Sequence, residues 1–425
     1  MSSIGRVRAV LAERDFRVLL AGQCTAQAAD GMAQAVFADE LILDPLLADT
    51  PERILAVFAL TLVPYSLIAP FLGVFVDRWP RRALMVWTNA IRALLLVSVP
   101  LWSDRLPSDV GLFMAVIALL GFGRLFLTTK GASLPAVLNE RFLLRANAIS
   151  GGAGMIAALA GGVIGLGLVA AAGSNPSFVL AGLAYAAAAF VLSRLSVPLG
   201  HAARAPERFA RAVARVALDL GAGLRAVWTN LRARLPIIGV FIVRSVGMLV
   251  TIAAILVIKD LYADDADARR LSAAAALGAA GAGAFLGATV APLLGRRLAK
   301  AGLILLGFAI SGLGIVALGG IEALPALFVL TFIGGLGTFT AKVAVDAQVQ
   351  EALPDDFRGR AFAVYDILYN LASVVAAGVM VTAETTALRP LLLSAGVVRL
   401  LVAGLLGIAM HRAGMFALKD DAQRA

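Results

Sequence analysis

The sequence predicts an all-α membrane protein with twelve transmembrane helices in two pseudo-symmetric six-helix bundles. Three observations support this prediction. The 425 residues are 60% hydrophobic and only 15% charged, and their mean hydropathy is +0.90. Apolar runs of about 20 residues, the length that crosses a bilayer as a helix, recur along the whole chain. In addition, several loop features occur twice, at one constant spacing between the two halves.

The apolar runs define twelve predicted spans, which we number in chain order. They are 16–38, 53–76, 83–102, 109–131, 146–171, 176–197, 235–259, 271–294, 301–320, 323–349, 360–384 and 388–411. With the N-terminus inside, and with the six basic residues at span ends counted with the adjoining loops, 25 of the 37 Lys and Arg residues fall in cytoplasmic segments, 6 in external loops and 6 within spans. The six at span ends are Arg17, Arg53, Arg194, Lys259, Arg360 and Arg389. Because basic residues concentrate in cytoplasmic loops, both termini are predicted to be cytoplasmic.

The net charge and the arrangement of spans along the chain indicate which partners and which domains to expect. The net charge of +10 is explained by loop arginines that face anionic lipid head groups, so membrane lipids are expected as partners and nucleic acid is not. The predicted domains are an N-terminal six-helix bundle (1–197), a cytoplasmic amphipathic linker (198–234) and a C-terminal six-helix bundle with a short tail (235–425). Apolar linker residues recur at helical spacing, which predicts a helix on the membrane surface. They are Phe209, Val213, Val216, Leu220 and Leu224.

The two halves share loop features 215 residues apart. Arg81-Arg82 recurs as Arg296-Arg297, Phe142 as Phe357, Arg145 as Arg360 and Arg17 as Arg232. A common offset across four loops predicts parallel structural repeats. Transporters built from such repeats bind their substrates at the repeat interface near mid-membrane.

The loop between spans 2 and 3 carries a family resemblance. It reads Gly-Val-Phe-Val-Asp-Arg-Trp-Pro-Arg-Arg from Gly73 to Arg82. This resembles the loop between helices 2 and 3 of the major facilitator superfamily, Gly-x-x-x-Asp-Arg/Lys-x-Gly-Arg-Arg/Lys, with Pro80 in place of the second Gly. The resemblance implies a contact between Asp77 and the start of helix 11 that closes the cytoplasmic side. The residues of this expected cytoplasmic gate are Gly73, Asp77, Arg78, Arg81, Arg82, Arg358 and Arg360.

Three further stretches resemble the macrolide- and siderophore-exporter (drug efflux) branch of this superfamily. They are Phe16–Gln23 followed by Asp30-Gly31, Leu134-Pro135 with Arg145–Ser150, and Leu353–Phe362. Span 5 carries Gly161-Gly162-Val-Ile-Gly165-Leu-Gly167, but it lacks the Pro of the exporter motif. These glycines are expected to let helix 5 press against helix 8. The resemblance implies a bacterial cytoplasmic (inner) membrane protein.

In this family helices 1, 4, 7 and 10 face the central path. Polar residues within a span are costly and usually turn inward, so their spacing is informative. Four polar residues of span 1 share one helical face, and Lys342 and Asp346 lie one turn apart on span 10. The candidate substrate and proton path is Gln23, Gln27, Asp30, Gln34, Arg92, Arg124, Arg244, Lys342, Asp346 and Asp366.

Asp30 is the candidate proton-carrying carboxylate, because it is the one acid near the middle of a helix that faces the path. Release of a neighbouring cation, Arg124 or Arg244, would let it take up a proton. Lys342 and Asp346 can neutralise each other. For every one of these polar residues, the alternative is a purely structural role in a hydrogen bond or ion pair between helices. For the four mid-span cations, a function is favoured over a purely structural role. These cations are Arg92, Arg124, Arg244 and Lys342.

Three functions stay open. The first is proton-coupled efflux, by alternating access, of small amphipathic compounds such as drugs or lipophilic metabolites. The second is a carrier for an anionic substrate such as a siderophore, organic acid or lysolipid, because the mid-membrane cations outnumber the acids. The third is a non-transporting scaffold or sensor. Arginines paired with acids favour the first function, and an arginine without an acid favours the second.

Several classes of function are not expected. The sequence has no Ser-His-Asp set and no Walker loop, so neither enzymatic catalysis nor ATP as the energy source is predicted. It has one cysteine, Cys24, and two histidines, so we expect no cofactor and no metal. The expected partners are a small-molecule substrate and protons, and a monomer is expected.

Overall fold

The computed structural model describes residues 10–43, 51–76, 78–105, 110–138, 140–196, 209–321, 323–382 and 388–416, and within these ranges it contains helices but no β-strand. The long helices of the first half are α1 (Arg14–Ala38), α2 (Pro51–Ile68), α3 (Arg81–Trp102), α4 (Val110–Val137), α5 (Glu140–Ala172) and α6 (Ser174–Leu192). A linker helix, Phe209–Thr229, follows. The second half contains α7 (Leu231–Leu261), α8 (Ala266–Leu294), α9 (Lys300–Leu318), α10 (Leu324–Ala352), α11 (Asp355–Thr382) and α12 (Leu388–Arg412).

Each predicted span corresponds to one of these helices, and the predicted fold class is confirmed. Among the described residues, 11 helices are long and apolar enough to cross a membrane. The remaining long helix, α1, has 25 residues, which is enough length for a crossing. Its hydropathy is lowered by the stripe of polar side chains that contains Gln23, Gln27 and Asp30.

Span 2 was predicted as one continuous helix over 53–76, and the structure shows a break. The α-helix ends at Ile68, a 3-10 segment covers Ala69–Leu72, and a short helical turn, Gly73–Val76, follows. Pro70 lies in the 3-10 segment. Proline has no backbone N–H and clashes with the preceding turn, so Pro70 weakens the regular hydrogen-bond ladder at this point, although α2 continues through Pro64.

The chain folds into two compact units. Unit 1 is Met1–Leu47 with Leu67–Ala214, and unit 2 is Ala48–Ser66 with Arg215–Ala425. Most of α2 therefore groups with the second half of the chain, where its Leu55 lies 4.0 Å from the position of a Cβ at Gly378 of α11. Most of the linker helix also groups with unit 2.

One helix in each unit contacts several others and carries polar residues into the interior. In unit 1, α1 packs against α5 and α6, and α3 packs against α6. In unit 2, α10 packs against α7, α8 and α9. The polar stripe predicted on α1 and the predicted pair Lys342 and Asp346 on α10 therefore lie on helices that their neighbours hold in place.

Glycines bring α1 and α5 into direct backbone contact. A Cβ at Gly161 would lie less than 3.0 Å from the backbone of Ala28, and a Cβ at Gly165 would lie 2.8 Å from the backbone of Met32. Small residues allow such close approach between membrane helices. The sequence suggested helix 8 as the partner of these glycines, and the structure places Gly161 and Gly165 against α1 instead.

We expect Gly161→Ala to destabilise the protein by about 1–3 kcal/mol, because the new methyl group must push α1 and α5 apart. Gly167→Ala on the same helix is the matched control, since no described heavy atom lies within 4 Å of its added Cβ. Alanine is favoured over glycine in a helix by up to about 1 kcal/mol, so the control should be neutral or stabilising. Thermal unfolding in one detergent compares the two variants. Equal stabilities would contradict direct backbone contact.

Candidate functional site

A buried ion pair joins α1 to α3 in unit 1. Arg92 Nη1 donates a hydrogen bond to Asp30 Oδ1 at 2.6 Å, and the Tyr185 hydroxyl of α6 donates to the same oxygen at 2.6 Å. The Arg92 side chain is 0% exposed and that of Asp30 is 17% exposed. We call these three residues the Asp30 triad.

Arg92 is well supported by its surroundings. Its Nη2 donates to Asn89 Oδ1 at 2.6 Å, and its guanidinium carbon lies 4.2 Å from the ring centroid of Tyr185 and 5.6 Å from that of Phe126. Of the three guanidinium nitrogens of Arg92, Nε is the one that has no hydrogen-bond partner among the described residues. From the sequence, Arg124 or Arg244 was predicted as the cation next to Asp30. In the structure the cation that contacts Asp30 is Arg92 instead.

A second polar network in unit 1 joins α1, α4 and α5. Gln23 Nε2 donates to Gln27 Oε1 at 2.6 Å and to the Ser150 carbonyl at 2.9 Å. Lys130 Nζ donates to Ser150 Oγ at 2.6 Å, and that hydroxyl donates to Gln23 Oε1. Gln34, the last residue of the predicted stripe, is exposed. The role of Ser150 could not be predicted, because it depends on how α5 packs on α1.

Two other predicted residues lie on α4 and α11. Arg124 is half-buried on α4, and its backbone carbonyl accepts a hydrogen bond from the Thr128 hydroxyl at 2.9 Å. Asp366 is half-buried on α11, and its carbonyl accepts from Asn370 Nδ2 at 3.0 Å.

Unit 2 holds a cluster of charged and aromatic side chains on α7, α10 and α11. Lys342 Nζ lies 2.7 Å from Asp346 Oδ2, and the two side chains are 28% and 30% exposed. The same Nζ lies 5.6 Å from the ring centroid of Tyr365 and 5.9 Å from that of Tyr369. The Arg244 guanidinium carbon lies 4.7 Å from the Tyr369 centroid. We call these five residues the charged cluster.

Arg399 of α12 is a buried cation to which the sequence analysis assigned no role. It is 0% exposed. Its Nη2 donates to Thr338 Oγ1 at 3.1 Å, and its Nη1 reaches the Val243 carbonyl at 3.4 Å. No described carboxylate lies within ion-pair distance of it. The available signal was its position within span 12, where a charge is costly.

Arg81 and Arg82 of the expected gate bind backbone carbonyls within unit 1. Arg81 Nη1 donates to the Ala132 carbonyl at 2.7 Å, and Arg82 donates to the Ser193 carbonyl. Gly73 begins the short helical turn after α2, and the backbone N–H of Arg78 donates to the Phe75 carbonyl at 3.1 Å.

Arg360, the predicted partner of Asp77 on α11, binds the linker helix. Its Nη2 lies 3.0 Å from Asp219 Oδ1. A Cβ at Gly223 would lie 2.6 Å from the Arg360 carbonyl oxygen, so the linker helix packs directly on the start of α11. Asp77 and the Arg358 side chain lie outside the described residues, so the predicted gate contact stays a prediction.

A family model that matches most of the chain identifies the family. The model described as Major Facilitator Superfamily matches residues 19–377. The chain belongs to the Major Facilitator Superfamily. The predicted family is therefore confirmed, and the protein is a multi-pass membrane transporter rather than an enzyme.

Relatives within the Major Facilitator Superfamily agree with this assignment. The chain is 27% identical over 377 residues to an uncharacterized MFS-type transporter of Mycobacterium bovis, with 87% of this chain and 84% of that protein covered. An uncharacterized MFS-type transporter of Mycobacterium tuberculosis matches with the same identity and coverage.

Solved structures of transporters share the fold. The nucleoside transporter NupG has a TM-score of 0.67 at 12% identity, covering 93% of this chain and 99% of that one. A POT family transporter in complex with a thioalcohol-conjugated peptide has a TM-score of 0.71 at 14% identity, covering 94% and 96%. A bacterial homolog of the human lysosomal transporter Spinster has a TM-score of 0.68 at 14% identity, covering 96% and 99%. At these identities the likeness concerns the fold alone.

Proposed function

We propose that this superfamily member is a secondary active transporter of the bacterial inner membrane that exports small amphipathic compounds, such as drugs or lipophilic metabolites. It works by alternating access as an antiporter driven by the proton gradient. One observation carries the proposal. Each unit has an intramembrane cation that is paired with an acid, Arg92 with Asp30 in unit 1 and Lys342 with Asp346 in unit 2.

Pairing of the charges determines what a ligand meets. A neutralised pair attracts neither cations nor anions strongly, so rings and amides supply the recognition. In the charged cluster, the half-buried Tyr369 offers an aromatic face, and in unit 1 the half-buried Gln27 offers an amide. Binding sites for small amphipathic molecules are mostly apolar or aromatic surfaces with a few polar groups that orient the ligand.

The Asp30 triad supports the proton-coupling part of the proposal. Both donors, Arg92 and Tyr185, bind Oδ1 of Asp30, and no described donor binds Oδ2. The Asp30 side chain keeps some exposure, whereas Arg92 has none. Oδ2 is therefore the atom that would receive a proton once a conformational change weakens the contact with Arg92.

Arg244 favours the second candidate, a carrier for an anionic substrate such as a siderophore, organic acid or lysolipid. Its guanidinium stacks on Tyr369, and no described carboxylate lies within ion-pair distance of it. A partly exposed cation on a ring, without an acid partner, is suited to a negatively charged ligand.

Reconstituted vesicles with an imposed pH gradient test the proposed function. We expect the full-length protein to concentrate cationic and neutral amphiphiles against their gradients only while the pH gradient exists. Transport restricted to anionic amphiphiles would favour the second candidate. If no amphiphile of a matched cationic, neutral and anionic panel responds to the pH gradient, the proposal is wrong and a scaffold or sensor becomes the better interpretation.

A further inference from the structure

The unpaired Arg399 is physically expensive. Moving an ion from water into a protein interior costs several kcal/mol unless a partner charge compensates it. Arg399 is fully buried within unit 2, and its two hydrogen bonds go to neutral oxygens, those of Thr338 and Val243. Its Nε has no hydrogen-bond partner. Charges kept inside membrane helices at such cost usually serve a function.

Comparison with the Asp30 triad shows that Arg399 in unit 2 has no corresponding carboxylate partner among the described residues. The 215-residue offset pairs Tyr185 of α6 with residue 400, so Arg399 lies one position from the counterpart of Tyr185. The same offset pairs Asp30 with Ser245 of α7. Each unit therefore holds a fully buried arginine, but Arg92 has a carboxylate from α1, whereas α7 supplies none to Arg399.

A half-buried glycine of α7 lies next to the Arg399 guanidinium. A Cβ at Gly247 of α7 would lie 3.7 Å from Arg399 Nη1 and 3.9 Å from Thr338 Oγ1. Gly247 and Thr338 are half-buried, whereas Arg399 is fully buried. The guanidinium therefore lies directly behind a position where α7 has no side chain. We call this position the Gly247 window.

We propose that Arg399, Thr338 and the Gly247 window bind the negatively charged head group of the transported compound, a carboxylate or another singly charged oxyanion. The inference rests on the second candidate function, the carrier for an anionic substrate, since it assigns a negative charge to the head group of the transported compound. The ligand supplies the acid that α7 lacks. The donor nearest the window is Nη1, whose hydrogen bond to the Val243 carbonyl is long at 3.4 Å, and a charge-assisted hydrogen bond to a carboxylate oxygen would be stronger. The Thr338 hydroxyl can donate a further hydrogen bond.

Binding to the purified full-length protein tests this inference without any gradient. The probes are hexanoate, 1-hexanol and hexylammonium, which share one alkyl chain and differ in charge. We expect hexanoate to bind the wild type most tightly. Arg399→Gln should weaken hexanoate binding about 10- to 100-fold, since it removes a charge-assisted hydrogen bond. Arg399→Lys keeps the positive charge but replaces the planar guanidinium with a single ammonium group, so it should retain part of the affinity for hexanoate.

Gly247→Ala provides a second variant that leaves Arg399 in place. Its methyl group would sit at ordinary contact distance from Arg399 and Thr338, so folding should be unaffected. By filling the window it should weaken hexanoate binding at least about tenfold. Gly404→Ala on α12 is the control, because no described heavy atom lies within 4 Å of its added Cβ. It should bind hexanoate as the wild type does.

Three results would overturn the inference. One is hexanoate affinity in Gly247→Ala equal to that of the wild type. Another is unchanged affinity in a folded Arg399→Gln protein; if that variant does not fold, Gly247→Ala decides alone. The third is stabilisation by chloride alone that depends on Arg399, with no preference for hexanoate over 1-hexanol, which would assign the site to an inorganic ion. Because these measurements need no transport, they can fail while export in vesicles succeeds, and the reverse.

Discussion

An Asp30→Ala protein is expected to be about 3–5 kcal/mol less stable than the wild type, because it leaves the Arg92 guanidinium buried without its acid. Arg92 is 0% exposed in the wild type, so solvent compensates its charge poorly once the carboxylate is lost. Tyr185 also loses the acceptor of its hydroxyl. Unfolding in detergent, followed by heat or denaturant, measures the difference.

A double-mutant cycle separates the ion pair from other effects of the substitution. Arg92→Met combined with Asp30→Ala should recover most of the lost stability, since no unpaired charge stays buried. The exposed pair Lys300–Glu351, at 2.6 Å, provides the control. Glu351→Ala there should cost less than about 1 kcal/mol. A cost below about 1 kcal/mol for Asp30→Ala as well would show that the pair is not buried as described.

Asp346→Asn is expected to shift transport selectivity toward anionic amphiphiles by about tenfold relative to cationic ones, a free-energy difference of about 1.4 kcal/mol. The substitution leaves Lys342 without the carboxylate that lies 2.7 Å away in the wild type. Lys342 and Arg244 both contact the Tyr369 ring, so the charged cluster gains net positive charge where a ligand can reach it. Competition between alkyl-matched anions and cations in vesicles measures the shift.

The opposite substitution and a distant pair complete this test. Lys342→Gln should move the selectivity toward cations, because Asp346 then keeps its charge without a partner. Glu351→Gln in the Lys300–Glu351 pair should leave the selectivity unchanged, although it also removes one carboxylate. If all three variants select like the wild type, neutralisation of charge in the cluster does not determine which compounds are transported.

The helices could be predicted from the sequence because bilayer thickness sets the length of an apolar run. The predicted and observed bounds of α3, 83–102 and Arg81–Trp102, differ by two residues. The break after Ile68 was missed because hydropathy does not register the loss of an N–H at Pro70. The apolar stripe predicted for the linker helix included Leu224, which is 50% exposed. Among the side chains of that helix whose burial is described, the buried residues are Gly223 and Val227, and their burial depends on packing against other helices of unit 2.

Only those features of the candidate site that lie on a single helix could be predicted from the sequence. Helical periodicity places Gln23, Gln27 and Asp30 on one face of α1. It cannot show that Arg92 of α3 and Tyr185 of α6 meet Asp30, because those contacts depend on packing between helices. Whether a buried cation has an acid partner is likewise a property of the folded unit, and so the contrast between Arg92 and Arg399 is visible only there.

The central claim is that the protein uses Asp30 to couple proton movement to export. The most direct measurement is pH-gradient-driven accumulation of an amphiphile in vesicles that contain the wild type or Asp30→Asn. The asparagine oxygen can still accept hydrogen bonds from Arg92 and Tyr185, but the side chain cannot bind and release a proton. We predict that Asp30→Asn equilibrates the compound across the membrane without concentrating it. Accumulation equal to that of the wild type would contradict the claim.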